Sequence, residues 1–290
     1  MRDENFAISR RAAMAAAASV IARDAFGFHC TTPNAPAIAR TKRQSVSFAV
    51  GGQTVFGMFH TPGGDDTVPA ALILHGLVAS KDQPHRIFVT LAEALAAKGV
   101  ASLRIDLRGR GDSEGDSIDI TPQRDLADAR EALEFLATRP HVDGQRLSVV
   151  GLSWGGLLGC YLATDPRVRQ LALWSSAPGP GPMSWNPKLS EIGDGRRAAD
   201  EWGNLIGEQF YDELATFKPY DELLKTQARV LIAYGTADAS VARAAPPLEQ
   251  ALKERGIAAE SFAVQDADHA FMRNAWERPL IAKTVEWLTS

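Results

Sequence analysis

Short, continuous apolar runs alternate along the chain with segments whose apolar residues recur every three or four positions. Residues 45–50 and 53–60 alternate polar with apolar side chains about Gly51-Gly52, which predicts two strands joined by a two-residue hairpin. Residues 69–75, 100–105, 146–152, 171–174, 228–234 and 259–264 are apolar runs of strand length, as expected of strands covered on both faces in a parallel sheet. Helical periodicity fills residues 84–98, 121–138, 154–163, 245–255 and 275–288. The first of these stops at Gly99, and the second carries Pro122 at its opening position. Strands alternating with helices of this length predict right-handed βαβ units and a mostly parallel, doubly wound α/β sheet. The alternation breaks between residues 175 and 227, a stretch too long for a loop and Gly/Pro-rich at 178–187, which predicts an insertion.

Composition narrows the chemistry. A chain of 290 residues can build a large core without a disulfide or metal. Lys and Arg number 31 against 35 Asp and Glu, a formal charge of −4, so no basic field is available to gather nucleic acid. Cys30 and Cys160 form no CxxC pair and the six histidines show no HxH or HExxH spacing, so no metal is expected. The loop Gly109-Arg-Gly111-Asp-Ser-Glu-Gly115 has GxGxxxG spacing, and Asp112, Glu114 and Asp116 would repel a pyrophosphate. No helix opens at these glycines, so no dinucleotide or other cofactor is expected. No apolar run reaches the ~18 residues that a membrane-spanning helix needs.

The N-terminus, Ser9-Arg10-Arg11 before an alanine-rich stretch ending at Ala22, resembles a twin-arginine export signal. Asp3, Glu4 and Arg23-Asp24 depart from that pattern, so export and a cytoplasmic location both stay open. Residues 1–40 are therefore expected to be a signal-like extension and linker, and residues 41–290 a single domain carrying the 175–227 insertion.

The most informative segment is Val149-Val-Gly151-Leu-Ser153-Trp-Gly155-Gly156. Gly-x-Ser-x-Gly between an apolar strand and a small-residue helix predicts a sharp turn that lifts the serine hydroxyl above the sheet. Gly151 and Gly155 avoid collision there, and the helix N-terminus faces developing negative charge. A carboxylate, Asp238, follows the strand ending at Tyr234, and Asp266-Ala-Asp268-His269 follows the next strand. The order Ser…Asp…His is that of a nucleophile, an orienting acid and a base, with Asp266 and Asp268 as competitors for the orienting role.

With His75-Gly76 after an early strand and Asp106-Leu-Arg-Gly-Arg-Gly-Asp-Ser113 after the next, these segments resemble the α/β-hydrolase superfamily from about Ser45 onward. Within it the chain looks most like cinnamoyl/feruloyl-esterase-like and dienelactone-hydrolase-like members. The resemblance implies Ser153 as nucleophile, His269 as general base and then acid, and Asp238 as its orienting partner. It also implies an oxyanion hole formed by the backbone N–H groups of Leu77 and Trp154. The implied activity is hydrolysis of a small-molecule carboxylic ester; acyl transfer, thioester or peptide hydrolysis, and a silent binding role are the alternatives. The insertion leaves the sheet beside the strand ends and is expected to be a cap. Its aromatics Trp185, Trp202, Phe210, Tyr211, Phe217 and Tyr220 are expected to roof a pocket for an apolar or aromatic acyl group, or else to glue the cap down. His29, His60, His85 and His141 are expected at the surface or in turns.

Overall fold

The computed structural model describes residues 41–181, 183, 185–193 and 195–290. The expected signal-like extension, the linker, His29 and Cys30 lie outside the described residues. Gly51 and Gly52, at φ 56° and 81°, close the predicted hairpin between β1 (Lys42–Val50) and β2 (Gln53–Thr61). Positive φ at both central positions matches the twist of the flanking strands.

The apolar runs become β3 (Val68–Leu74), β4 (Ala101–Ile105), β5 (Val142–Leu152), β6 (Val168–Trp174), β10 (Arg229–Gly235) and β11 (Ala259–Val264). They join the hairpin in one eight-stranded sheet of order β1-β2-β4-β3-β5-β6-β10-β11. Every pairing from β4 to β11 is parallel, and β1 and β2 form an antiparallel edge. The sheet is covered on one face by α1 (Ile87–Ala97) and α7 (Asn274–Thr289). On the other lie α2 (Pro122–Ala137), α3 (Trp154–Leu162) and α6 (Ala239–Glu254). Central residues such as Leu72, Ile73, Val149 and Val150 are fully buried, which is why these strands read as unbroken apolar runs.

The insertion holds more order than its sequence pattern suggested. Three short strands, β7 (Ser190–Gly193), β8 (Arg196–Glu201) and β9 (Asn204–Gly207), form a separate antiparallel sheet. Helices α4 (Glu208–Leu214) and α5 (Pro219–Leu223) follow. These strands are four to six residues long and their buried positions follow no period of two, so no apolar alternation marks them. Helix α6 begins at Ala239, earlier than its periodicity indicated, because Asp238 caps it by accepting from the Val241 N–H. His60 is a correction: it is fully buried on β2 against Arg104, not at the surface. No described helix is long and apolar enough to cross a membrane.

Candidate active site

The site forms where β3, β5, β6, β10 and β11 end in the same direction, so their following loops meet. Ser153 sits between β5 and α3 at φ 53° and ψ −114°, a conformation that costs an L-residue energy and persists only where its surroundings impose it. The surroundings here are glycine. A Cβ on Gly151 would lie 2.3 Å from the Gly155 carbonyl carbon, and one on Gly155 would lie 2.2 Å from the Leu74 carbonyl oxygen. The Ser153 N–H donates to the Trp174 carbonyl at 2.8 Å, pinning the turn to the end of β6. Ser153 stays partly exposed and lines a pocket of about 340 Å³.

Asp238, just past β10, and His269, past β11, are brought together, with His269 Nδ1 2.5 Å from Asp238 Oδ2. The Asp238 carboxyl is 7% exposed, and its other oxygen accepts from the Ser240 hydroxyl at 2.9 Å and the Val241 N–H at 3.4 Å. Burial alone would raise its pKa, but the bonds from His269, Ser240 and Val241 outweigh this and hold it below the usual carboxylate range. The competitors are engaged elsewhere. Asp268 Oδ1 accepts from the Ala270 and Met272 N–H groups, and Asp266 Oδ1 accepts from the Gln265 amide. The His269 imidazole is half exposed, and among the described residues no hydrogen bond joins it to Ser153.

Leu77 and Trp154 are both buried, and among the described residues their backbone N–H groups have no acceptor. Trp154 opens α3, where the first N–H groups have no partner within the helix. One carboxylate ties the two residues together. Asp125, on the first turn of α2, accepts from the Trp154 indole N–H at 2.7 Å and from both Arg110 amino groups at 2.6 and 2.8 Å. Arg110 Nε in turn donates to the Leu77 carbonyl at 2.7 Å. Asp125 and Arg110 were not singled out in the sequence. Arg110 lies in the recognisable 106–113 loop, but nothing in the helical pattern marks Asp125 as pointing inward. His75 braces the same loop, with Nδ1 2.7 Å from the Gly76 carbonyl and Nε2 accepting from the Leu107 N–H at 3.1 Å. Burial first, and then the Arg110 charge, push its pKa down to about 4, so the ring is neutral.

The expected aromatic roof is not there. Among the described residues the pocket is lined by Ser153, Leu157, Ser175, Ser176, Met183 and the 177–181 loop, with no aromatic ring. Phe210 and Phe217 instead stack on Trp154, with centroids 5.0 and 5.1 Å away, and are fully buried. Tyr211 donates to Glu201 at 3.0 Å and meets Trp185 edge-on, Tyr220 packs against the core, and Trp202 is 77% exposed at the β8–β9 turn. Phe210, Phe217 and Tyr220 thus fasten the insertion to the core, whereas Trp185 and Trp202 stay exposed. Cys160 is buried on α3, its thiol donating to the Gly156 carbonyl and its pKa raised by burial. Among the described residues no cluster of three or more metal-ligating side chains forms.

Residues 71–283 match the sequence profile described as the alpha/beta hydrolase family. Among curated proteins, the chain is similar to the uncharacterized protein PA2218 of Pseudomonas aeruginosa. The two are 29% identical over 139 residues, which is 46% of this chain and 37% of that protein. It is also similar to the thiohydrolase aneE of Aspergillus aculeatus, 30% identical over 108 residues, 37% of this chain and 33% of that one. The matches thus span about a third of the length of these curated relatives. Among solved structures, the ferulic-acid complex of Est1E from Butyrivibrio proteoclasticus superposes with a TM-score of 0.67. The two are 19% identical, over 84% of this chain and all of that one.

Proposed function

Because the chain belongs to the alpha/beta hydrolase family, we propose that it is a serine hydrolase that cleaves carboxylic esters through an acyl-enzyme on Ser153. The observation that carries this reading is the Asp238–His269 pair, 2.5 Å apart, on the loops after β10 and β11, at the same end of the sheet as the strained Ser153 turn. In this mechanism the His269 imidazole approaches Ser153 and takes its proton as the hydroxyl oxygen attacks the ester carbonyl. Catalytic hydrogen bonds of this kind are often long before substrate binds. Asp238 accepts from Nδ1–H, so Nε2 is the basic nitrogen and the imidazolium is stabilised once formed. The Leu77 and Trp154 N–H groups receive the oxyanion, each contributing on the order of 3 kcal/mol to the transition state. Collapse breaks the bond to the alcohol, which leaves with the proton from His269. Water then enters, His269 takes its proton, and a second tetrahedral intermediate releases the acid and restores Ser153.

A thioester is the second candidate substrate, favoured by the similarity to the thiohydrolase aneE; the same acyl-enzyme serves both. The division into a signal-like extension at 1–40 and a domain whose 175–227 insertion caps the site belongs to this proposal. A fluorophosphonate probe tests the core of it. Labelling of the wild-type chain that disappears in Ser153→Ala supports the assignment, and labelling that persists removes it. A panel pairing each ester with its thioester then decides between the two substrate classes.

A further inference from the structure

At the end of β6 the chain turns out of the sheet through Ser175, whose φ of 45° is strained for a serine. Its N–H donates to the Ala233 carbonyl at 2.8 Å, and the preceding carbonyl, of Trp174, holds the Ser153 N–H. Ser175 is therefore an immediate neighbour of the candidate nucleophile. Ser176 lies over the first turn of α3, its Cβ 2.6 Å from where a Cβ on Gly156 would be. Ser175 and Ser176 are only 2% and 3% exposed, and among the described residues their hydroxyls have no hydrogen-bond partner. Both residues line the pocket that holds Ser153.

Buried polar groups are costly when left unpaired, so two unpartnered hydroxyls beside one pocket need an explanation. A ligand oxygen supplies one once rotation about χ1 brings each hydroxyl, shut off from solvent in this structure, to the pocket wall. Each serine hydroxyl both donates and accepts, which suits a hydroxyl or a keto oxygen equally. The rest of the wall argues against a charged ligand. Among the described residues it is Leu157, Met183 and the small residues of 177–181, with no charged side chain to pair a carboxylate or ammonium. The volume of about 340 Å³ is near the lower end of ligand pockets, which run from roughly 300 to 1,000 Å³, and so favours short substrates.

We propose that Ser175 and Ser176 form a polar subsite for an uncharged hydroxyl or keto oxygen carried within a few bonds of the scissile carbonyl. The natural substrate class is then a short oxygenated ester rather than a plain alkyl or aromatic one. This inference rests on the reading of Ser153 as the nucleophile that attacks in this pocket.

Three esters of similar size test it: propyl butanoate, ethyl 3-hydroxybutanoate and 2-hydroxyethyl butanoate. The last two place the oxygen on the acyl and on the alcohol side. One of the hydroxylated esters should show a kcat/KM about tenfold above propyl butanoate, the size expected of one neutral hydrogen bond. That ratio should fall below about twofold when Ser175→Ala and Ser176→Ala are combined. Rates equal within about twofold in the wild-type protein, or a preference that survives both substitutions, would overturn the subsite. The same ligands are compared by calorimetry on Ser153→Ala, so the result does not depend on turnover. There the preferred ester should again bind about tenfold tighter than propyl butanoate, and the gain should vanish with the two serines. Selective binding without turnover by the wild-type chain would count against serine hydrolysis and in favour of the subsite. Turnover abolished by Ser153→Ala, with no selectivity in either measurement, would leave the hydrolase reading standing and remove the subsite.

Discussion

At the scale of single residues, the proposed chemistry depends on three side chains contributed by three different loops. Ser153→Ala should lower kcat by ~10⁶ in steady-state assays on an ester the wild-type chain turns over, because no other group on the strained turn can form the acyl-enzyme. A folded variant retaining a tenth of the activity would exclude Ser153 as nucleophile. Asp238→Asn should cost ~10⁴ in kcat, since an amide in that place no longer enforces the productive imidazole tautomer. Asp268→Asn should cost far less, because Asp268 spends its acceptor on the Ala270 and Met272 N–H groups. The reverse ranking of the two variants would exchange their roles. Ser153 was legible in the sequence because its turn demands glycine two positions to either side. Preferring Asp238 to Asp266 and Asp268 rests in the sequence on chain order and loop position, and the structure adds that Asp238 Oδ2 lies 2.5 Å from His269 Nδ1. Ser175 and Ser176 left no trace in the sequence, because nothing local separates a serine lining a pocket from one in an ordinary turn.

At the scale of elements, the helix that begins just after Ser153 is held by more than the glycines. Asp125 on α2 bonds both the Trp154 indole at the head of α3 and Arg110, which grips the Leu77 carbonyl. One buried carboxylate thereby sets the spacing of the two proposed oxyanion donors. Trp154→Phe keeps the ring packing against Phe210 and Phe217 but removes the indole N–H. It should lower kcat by about tenfold with KM nearly unchanged, the pattern of an interaction that matters chiefly in the transition state. A change confined to KM would instead assign Trp154 to substrate binding. The helix start at Thr121-Pro122, legible in the sequence, carries a local cap: Thr121 accepts from the Arg124 N–H. The short strands of the insertion were missed for the opposite reason. Their stability comes from pairing with one another and from docking on the core, and neither is written in a local period.

At the scale of the whole molecule, the insertion is bound to the core by aromatic packing, through Trp154, the residue that follows Ser153. Phe217 is fully buried between Trp154 and Tyr161, so Phe217→Ala should destabilise the fold by about 3–5 kcal/mol in urea melts. A loss below about 1 kcal/mol would mean that the insertion barely contributes to the core. Stability should also depend on pH through His75. Its folded pKa, near 4, lies below the unfolded value of about 6.5, so the unfolded chain binds the extra proton first. The neutral ring's contribution is complete above about pH 6.5 and is lost as pH falls toward 4, amounting to about 2 kcal/mol by pH 5. Buried His60, lowered to about 4 by burial and by Arg104, acts in the same direction. Melts at pH 7 and pH 5 should therefore differ, and His75→Gln should reduce the difference; an unchanged difference would rule out His75 as a source.

The sequence by itself determined the doubly wound sheet, the hairpin at its edge and the serine turn. Each of these is specified locally, by a period of burial, by a pair of residues able to take positive φ, or by glycines without which the backbone would collide. Only the tertiary structure decided which acid faces His269, which carboxylate links the two proposed oxyanion donors, and what the aromatics of the insertion touch. Those relations join residues 29 to 63 positions apart, such as Asp125 with Trp154, Asp238 with His269 and Trp154 with Phe217. Local pattern cannot reach across such distances, because the contacts exist only once the strands have lined up and brought their loops to one end of the sheet.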